Sequence, residues 1–358
     1  MPGTLPLVPR PHGGQGTPVR FTFQSERSPG INHLVLLSPR FVSGKALGSL
    51  GTLAFVIVFN FFLFRIVEGN PVATLYRGRN LTDAQRATLQ HQFGLDGSKL
   101  DQFWQYLVQL AHLNLGRSYE SNSPVISVIG AAAWPTVALV GISTLLSTLI
   151  GVAMGIVAAW RRGSFRDHSL TSFTMTTYAM PDFWLGMLLL VGFAVLLPWF
   201  PIGGITDPSA PTSGFGHLVD EARHLVLPCL TLTVAYLGEY AIVMRSSMLD
   251  TMGEDYLVLA RAKGLRDALV RRRHAVPNAL LPVVTLIAIN FGFVLSGAIA
   301  VESIFSWPGL GHATYSAIRA PDLPMLQGLF LVFSASVIFF NLIADLAYAY
   351  LDPRVRTA

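Results

Sequence analysis

Residues 246–277, SSMLDTMGEDYLVLARAKGLRDALVRRRHAVP, form a polar and basic stretch between two long apolar runs. Thr251 and Glu254 have the T-x-x-E spacing of a capping box just before an apolar series, which predicts the start of a helix. Gly264 can end that helix in a left-handed conformation. The stretch therefore predicts either a helical surface on which another protein docks or an ordinary loop made basic by membrane topology.

The composition is that of a polytopic membrane protein, because 52% of the 358 residues are hydrophobic and only 13% are charged. The one cysteine, Cys229, permits no internal disulfide and no cysteine metal cluster. The nine histidines are scattered without metal-ligand spacing, so we expect no metal site. The net charge of +5 does not predict nucleic acid binding, because no RNA or DNA motif accompanies the basic residues.

Six apolar stretches each supply the ~20 residues with which a helix crosses the hydrocarbon core of a membrane. They predict an all-α polytopic fold with six transmembrane helices. The stretches are 41–64, 134–160, 170–197, 224–246, 279–303 and 325–351.

The charge of the connecting segments predicts the orientation. The N-terminal tail, the turn at 161–166, the loop at 245–278 and the C-terminus together hold 17 of the 25 Lys and Arg. The positive-inside rule places these segments, and with them both termini, in the cytoplasm. An even number of spans agrees with this orientation.

The extracytoplasmic segment at 66–132 is either a small packed cap or a docking surface. Thr82 to Gln85 can cap a helix that ends near Gly94, and a second helix is predicted from about Ser98 to His112. The expected organisation is a disordered cytoplasmic extension at 1–40, a first transmembrane helix at 41–65, the helical insert at 66–132, a five-helix core at 133–351 that contains the loop 246–278, and a cytoplasmic tail at 352–358.

Polar residues inside the apolar stretches are candidates for a solute pathway. Pro181 interrupts the third stretch and predicts a kink, which either lines a path or serves packing. Asp182 and Glu239 are acids within apolar runs, where such groups face a cavity or pair with a base. Asn290 predicts an interhelical hydrogen bond. We take these four residues as pathway candidates.

Residues 301–311, VESIFSWPGLG, are predicted to form an irregular extracytoplasmic loop. Pro308 and Gly309 force a non-helical chain, and Trp307 is typical of a membrane interface. Glu302 is the acidic residue of this loop.

The spacing of Ala260, Gly264 and Val276-Pro277 resembles the EAA loop of binding-protein-dependent ABC importer permeases: E-A-A, three residues, G, nine residues, I-x-L-P. The local sequence is similar to the dipeptide/oligopeptide-type branch of that family. Val258-Leu259 stand in the E-A positions, as is usual in this branch, and His274 stands where the general pattern has Ile.

Three other stretches carry the same resemblance in the same order, over about residues 41–356. Phe183 to Gly186 is similar to the F-W-L-G of this branch, Glu302 to Gly311 to its E-x-x-F-x-x-P-G-L-G, and Asp352 to Arg354 to its C-terminal D-P-R. The resemblance implies a type I ABC importer permease fold in a bacterial cytoplasmic (inner) membrane.

The resemblance also implies a complex with a homologous second permease subunit, two cytoplasmic ATPase subunits and an extracytoplasmic solute-binding protein. This chain itself would be in contact with membrane lipid. Alternating access would be driven by ATP and Mg bound in the partner subunits; this chain would bind no cofactor and carry no catalytic residue. It has no G-x-x-x-x-G-K-[ST] motif. The residues implied to couple it to the ATPases are Ala260, Ala262, Gly264, Leu265, His274 and Pro277.

The implied solute is a di- or oligopeptide. Two alternatives stay open: an importer of nickel or another small solute on the same scaffold, and a self-contained channel or transporter. The second has no need of the 246–277 segment. An intramembrane enzyme would need a paired nucleophile or a metal set, which the sequence lacks.

Overall fold

A computed structural model describes residues 39–64, 82, 85, 97–211, 213–294 and 298–351. The expectations for the N-terminal extension, most of 65–96 and the C-terminal tail lie outside the described residues. Within the described ranges the chain is helical, and its one β element is an isolated bridge between Arg117 and Pro124.

Among the described residues there are thirteen α-helices, numbered in chain order, and two π-helical segments, Val191–Leu196 and Arg271–Ala275, interrupt them. The helices are α1 Pro39–Phe62, α2 Lys99–Ala111, α3 Val125–Trp160, α4 Phe165–Ala179, α5 Asp182–Leu190, α6 Phe215–Met252, α7 Asp255–Ala262, α8 Asp267–Val270, α9 Val276–Ala279, α10 Leu281–Val294, α11 Ile299–Ile304, α12 Leu310–Arg319 and α13 Leu323–Leu351.

Four helices among the described residues, α1, α3, α6 and α13, are long and apolar enough to cross a membrane. They match the first, second, fourth and sixth predicted stretches, although α3 and α6 extend well beyond them with 36 and 38 residues. The third stretch is a bent pair, α4 and α5 with the following π-helical segment, which turns by 97°. It counts as a fifth span if the pair crosses as one.

The predicted span 279–303 is divided in the structure. It contains α10, with 14 residues, and α11, with 6, and residues 295–297 between them lie outside the described ranges. The count of six transmembrane helices therefore stays a prediction, while the all-helical, multi-span architecture is confirmed.

The centre of the fold is the contact between α3 and α6. A Cβ atom on Gly151 would lie 2.6 Å from the Leu237 carbonyl oxygen, and one on Gly155 would lie 2.6 Å from the Ala241 carbonyl oxygen. These two glycines form a G-x-x-x-G pattern, which lets two helix backbones approach closely. On another side of α6, Gly238 contacts the backbone of α4 at Thr174 in the same way.

Ion pairs connect further helices. Arg245 of α6 donates from Nε and Nη2 to the two carboxylate oxygens of Asp167 at the start of α4, at 2.9 and 3.1 Å. Lys45 of α1 lies 2.8 Å from Asp345 of α13. Asp345, an acid within the sixth predicted stretch, thus forms an ion pair between the first and last helices.

Helix α2 lies at the position predicted for the second helix of the insert. Ser98 and Asp101 form a capping box at its start. Its aromatic residues contact α1, since the Phe61 ring lies 5.0 Å from that of Phe103 and 5.7 Å from that of Tyr106. Helix α2 therefore packs against the first transmembrane helix.

Candidate functional site: the coupling segment and the polar pathway

The segment 253–280 begins differently from the sequence prediction. Helix α6 continues to Met252, so Thr251 lies inside it and its hydroxyl donates to the Ser247 carbonyl at 2.8 Å. Glu254 is the N-cap residue of α7 and makes no side-chain capping bond. The predicted capping box is therefore wrong, because the transmembrane helix extends through the residue expected to start the next one.

The end of α7 matches the prediction. Gly264 has φ +80, the Leu265 N–H donates to the Ala260 carbonyl at 3.4 Å, and the Gly264 N–H donates to the Arg261 carbonyl at 2.9 Å. These two bonds define a Schellman motif, which requires a left-handed residue after the helix. A Cβ atom on Gly264 would meet no atom within 4 Å, so this position faces open space.

The two sides of α7 have different roles. Leu257 is fully buried and Ala260 is 6% exposed, and both pack into a core cluster with Met244 and Met248 of α6. Ala260 was expected to lie on the docking surface, which is wrong, because its side chain holds α7 against α6. The outward side instead carries exposed apolar or small residues: Val258, Leu259 and Ala262.

The second half of the segment returns to the bundle through short helices. Leu265 is partly buried against the same cluster, which also contains Val270 and Ala275. His274 lies in the π-helical segment, and its carbonyl accepts from the Asn278 side chain at 2.7 Å. Pro277 is exposed in the first turn of α9, where proline loses no helix hydrogen bond. Of the six predicted coupling residues, Ala262, Gly264 and Pro277 are exposed.

Pro181 lies at the 97° bend between α4 and α5, so the predicted kink is confirmed and is larger than a proline kink alone requires. A largely apolar, open cavity of about 680 Å³ lies at this bend. Its lining residues are Met175, Thr176, Ala179, Met180, Pro181, Phe183 and Trp184. Asp182 is absent from that lining, and its carboxylate accepts from the Phe183 N–H at 2.7 Å.

The other pathway candidates meet between α6 and α10. The Asn290 amide donates to the Tyr240 hydroxyl at 3.1 Å and to the Glu239 carboxylate at 3.4 Å. Glu239 and Asp182 both interact electrostatically with the Tyr236 phenol. The structure therefore brings Glu239 and Asn290 together beside Tyr240, while Asp182 stays next to Pro181 at the bend, within electrostatic range of Tyr236.

The predicted extracytoplasmic loop 301–311 is a packed structure. Glu302 has no exposed surface and accepts from the Thr136 hydroxyl at 2.8 Å, the Gly311 N–H at 2.7 Å and the His312 N–H at 3.1 Å. Since Gly311 and His312 start α12, the carboxylate satisfies N–H groups that the first turn of a helix leaves unpaired.

Trp307 is buried as well, and its indole N–H donates to the Pro135 carbonyl at 2.9 Å. Its prediction as a membrane-interface residue is therefore wrong, because this bond holds the loop against α3. Gly309 has no room for a side chain, since a Cβ atom would overlap Glu302 and Thr136, while Pro308 is exposed.

Sequence reasoning missed two sets of residues. The G-x-x-x-G of Gly151 and Gly155 is a recognisable packing signal, and the acid and base of Asp167 and Arg245 lie at the ends of two predicted spans. Within the described ranges, no group of three or more His, Cys, Asp or Glu is placed to hold a metal ion.

Family models for membrane transport components match the chain. The model described as "Binding-protein-dependent transport system inner membrane component" matches residues 151–357, and the model of its N-terminal part matches residues 38–140. The chain belongs to this family. It is therefore a multi-pass inner-membrane permease that works as the transport component of a larger ABC importer complex.

Named relatives of this permease align over nearly their whole length. A Brucella ovis protein whose name describes a peptide permease is 37% identical over 319 residues, 88% of this chain and 99% of that protein. The dipeptide transport system permease protein DppB of Escherichia coli K12 is 35% identical over 318 residues, 84% of this chain and 94% of that protein. The glutathione transport system permease protein GsiC of Pectobacterium atrosepticum is 36% identical over 312 residues, 87% and 97%.

A solved structure shows the same fold. A chain from the MetNI methionine ABC transporter in an inward-facing conformation matches with a TM-score of 0.50 and 16% identity. The match covers 63% of this permease and 96% of that chain. The architecture is therefore that of a type I ABC importer permease.

Proposed function

We propose that this permease carries di- or oligopeptides into the cytoplasm. It does so together with a homologous second permease subunit, two ATPase subunits that bind ATP and Mg, and an extracytoplasmic solute-binding protein. The peptide class rests on relatives named for dipeptide, peptide and glutathione transport, which align over 84–88% of this chain. Both termini and the segment 253–280 lie in the cytoplasm in this proposal, as the basic residues require.

The proposed coupling rests on the residues exposed on the outward side of α7. Val258 and Leu259 are 58% and 56% exposed, and the small residues Ala262 and Gly264 beside them would let another protein approach closely. Exposed apolar groups that cover no part of their own chain favour an interaction site. Because Leu257 and Ala260 are buried in the bundle, a force applied to this side is passed to α6.

The alternating movement follows from this arrangement. ATP binding changes the distance between the two ATPase subunits, and α7 moves with the subunit on which it docks. The close contacts of α6 with α3 and α4 make these helices move together, so the polar residues between α6 and α10 face one side of the membrane and then the other.

The decisive variant is Gly264→Arg, tested by purification of the complex from membranes in mild detergent with an ATPase assay of the eluate. Arginine at this position loses the easy left-handed conformation and places a long side chain on the docking surface. We expect loss of the co-purifying ATPase subunits, or ATP hydrolysis without uptake of a radiolabelled dipeptide.

Gly163→Arg is the matched control. Gly163 has φ +78 and is exposed, and a Cβ atom there also meets nothing within 4 Å, so the backbone strain is the same. Normal coupling in Gly264→Arg would refute the docking site. Uptake of labelled nickel instead of the dipeptide by the unmodified complex would refute the peptide class and leave the docking site standing.

A further inference from the structure

Trp160, the last residue of α3, contacts the segment that follows α7. Its indole N–H donates to the Asp267 carboxylate at 2.9 Å. The Trp160 side chain is partly buried against the core cluster that also contains Ala260, Val270 and Ala275. A residue of one transmembrane helix is therefore bonded to a residue 107 positions later, in the return half of the cytoplasmic segment.

Two guanidinium groups lie over the same ring. The Cζ of Arg261, in α7, is 5.8 Å from the Trp160 ring centroid, and that of Arg271, in the π-helical segment, is 5.7 Å away. Both distances lie within the range of cation–π attraction, for which tryptophan is the best acceptor. Arg261 also lies 3.7 Å from the Asp267 carboxylate.

The position of Trp160 at the C-terminal end of α3 also favours the two arginines. The C-terminal end of a helix carries partial negative charge, which attracts cations such as Arg261 and Arg271. One aromatic side chain thus contacts α7, α8 and the π-helical segment at once, while the other end of its helix, more than 30 residues away, reaches Val125. Helix α3 contacts α6 closely at Gly151 and Gly155, in the part of α3 that ends at Trp160.

We infer that Trp160 is a positioning residue that passes the movement of the ATPase-docking segment directly to transmembrane helix α3, in parallel with the path through α6. This inference rests on the proposed function. The group formed by Trp160, Arg261, Asp267 and Arg271 is named the Trp160 clamp. Its members are different from the residues expected to touch the ATPase.

The test measures hydrogen exchange in the purified complete complex, with and without a non-hydrolysable ATP analogue. In the unmodified complex we expect the analogue to change exchange both in residues 255–271 and in the last two turns of α3. Trp160→Phe keeps an aromatic ring and removes the N–H. It should reduce the response of α3 about threefold, the lower end of what loss of one intramolecular hydrogen bond causes, and leave the response of 255–271 in place.

A second arm tests whether the bond to Asp267 is responsible. Trp160→Phe and Asp267→Ala remove the same bond, so their double variant should respond like the single variants and not additively. Trp104→Phe is the matched control, since Trp104 is 67% exposed on α2 and far along the chain from the clamp. Transport of a radiolabelled dipeptide per ATP hydrolysed should fall with the α3 response, while the yield of complex stays constant.

If the nucleotide-dependent change in hydrogen exchange of α3 is the same in Trp160→Phe as in the unmodified complex, the clamp is overturned. An equal loss of the change in α3 and in residues 255–271, together with a lower yield of complex, would overturn it as well. Absence of any nucleotide response in the unmodified complex would overturn the proposed function itself, and the clamp with it. A response without transport of the dipeptide would reject only the peptide class.

Discussion

Glu302 illustrates at the scale of one residue why an acid is placed among apolar side chains. A buried carboxylate is costly unless donors surround it, and Glu302 receives three, from Thr136, Gly311 and His312. They come from α3 and from the first turn of α12, while Glu302 itself belongs to α11. The carboxylate therefore joins three helices at one point.

Replacement of Glu302 by leucine should lower the thermal unfolding midpoint of the permease in detergent. The N–H groups of Gly311 and His312 would lose their acceptor inside the protein, at a cost of about 1–3 kcal/mol each. Glu302→Gln should cost less, because one carbonyl oxygen remains. Glu254→Leu is the control, since Glu254 is exposed and makes no capping bond. Equal midpoints for Glu302→Leu and Glu254→Leu would contradict this role.

At the scale of elements, α3 and α6 pack closely because glycines leave no side chain between the two backbones. Gly155 faces the Ala241 carbonyl and Gly141 faces nothing within 4 Å, although both lie in α3. The same substitution, glycine to alanine, therefore tests the contact with an internal control.

We expect Gly155→Ala to destabilise the permease by about 1–3 kcal/mol, because a Cβ atom 2.6 Å from a backbone oxygen forces the helices apart. Gly141→Ala should cause no loss and gain up to about 1 kcal/mol, since alanine favours a helix more than glycine. Denaturant unfolding of the two variants in the same detergent measures this difference. A loss of similar size in both would show that the close approach is unimportant.

The elements also show what a sequence can predict. Apolar length located four spans, and Gly264 and Pro181 located a helix end and a bend, because glycine and proline restrict the backbone locally. The capping box predicted at Thr251 was wrong because the local pattern matched a helix cap. In the structure, α6 continues through Thr251 and packs there through Met244 and Met248. Trp160, Glu302 and Trp307 have roles set by partners more than 100 positions away or on several helices, which no local pattern contains.

At the scale of the whole molecule, the membrane topology depends on whether residues 279–303 cross the membrane. If α10 and α11 together cross it, α12 lies outside the cell and both termini lie inside. The packing favours the crossing, because α12 contacts the Val125 end of α3 while α7 lies at its Trp160 end. The one cysteine, Cys229, is buried, so cysteines introduced elsewhere can report their side of the membrane against a silent background.

Leu100→Cys, Ala262→Cys and Ile318→Cys place thiols on α2, α7 and α12; Leu100 and Ile318 are 80% and 60% exposed, and Ala262 is also exposed. In spheroplasts treated with a membrane-impermeant maleimide, we expect labelling of the first and third at once, and of Ala262→Cys only after permeabilisation. The basic residues of 245–278 require this result for Ala262, since the positive-inside rule places them in the cytoplasm. Labelling of Ile318→Cys only after permeabilisation would mean that α10 and α11 do not cross, and the six-span order would fall while the docking side of α7 kept its place.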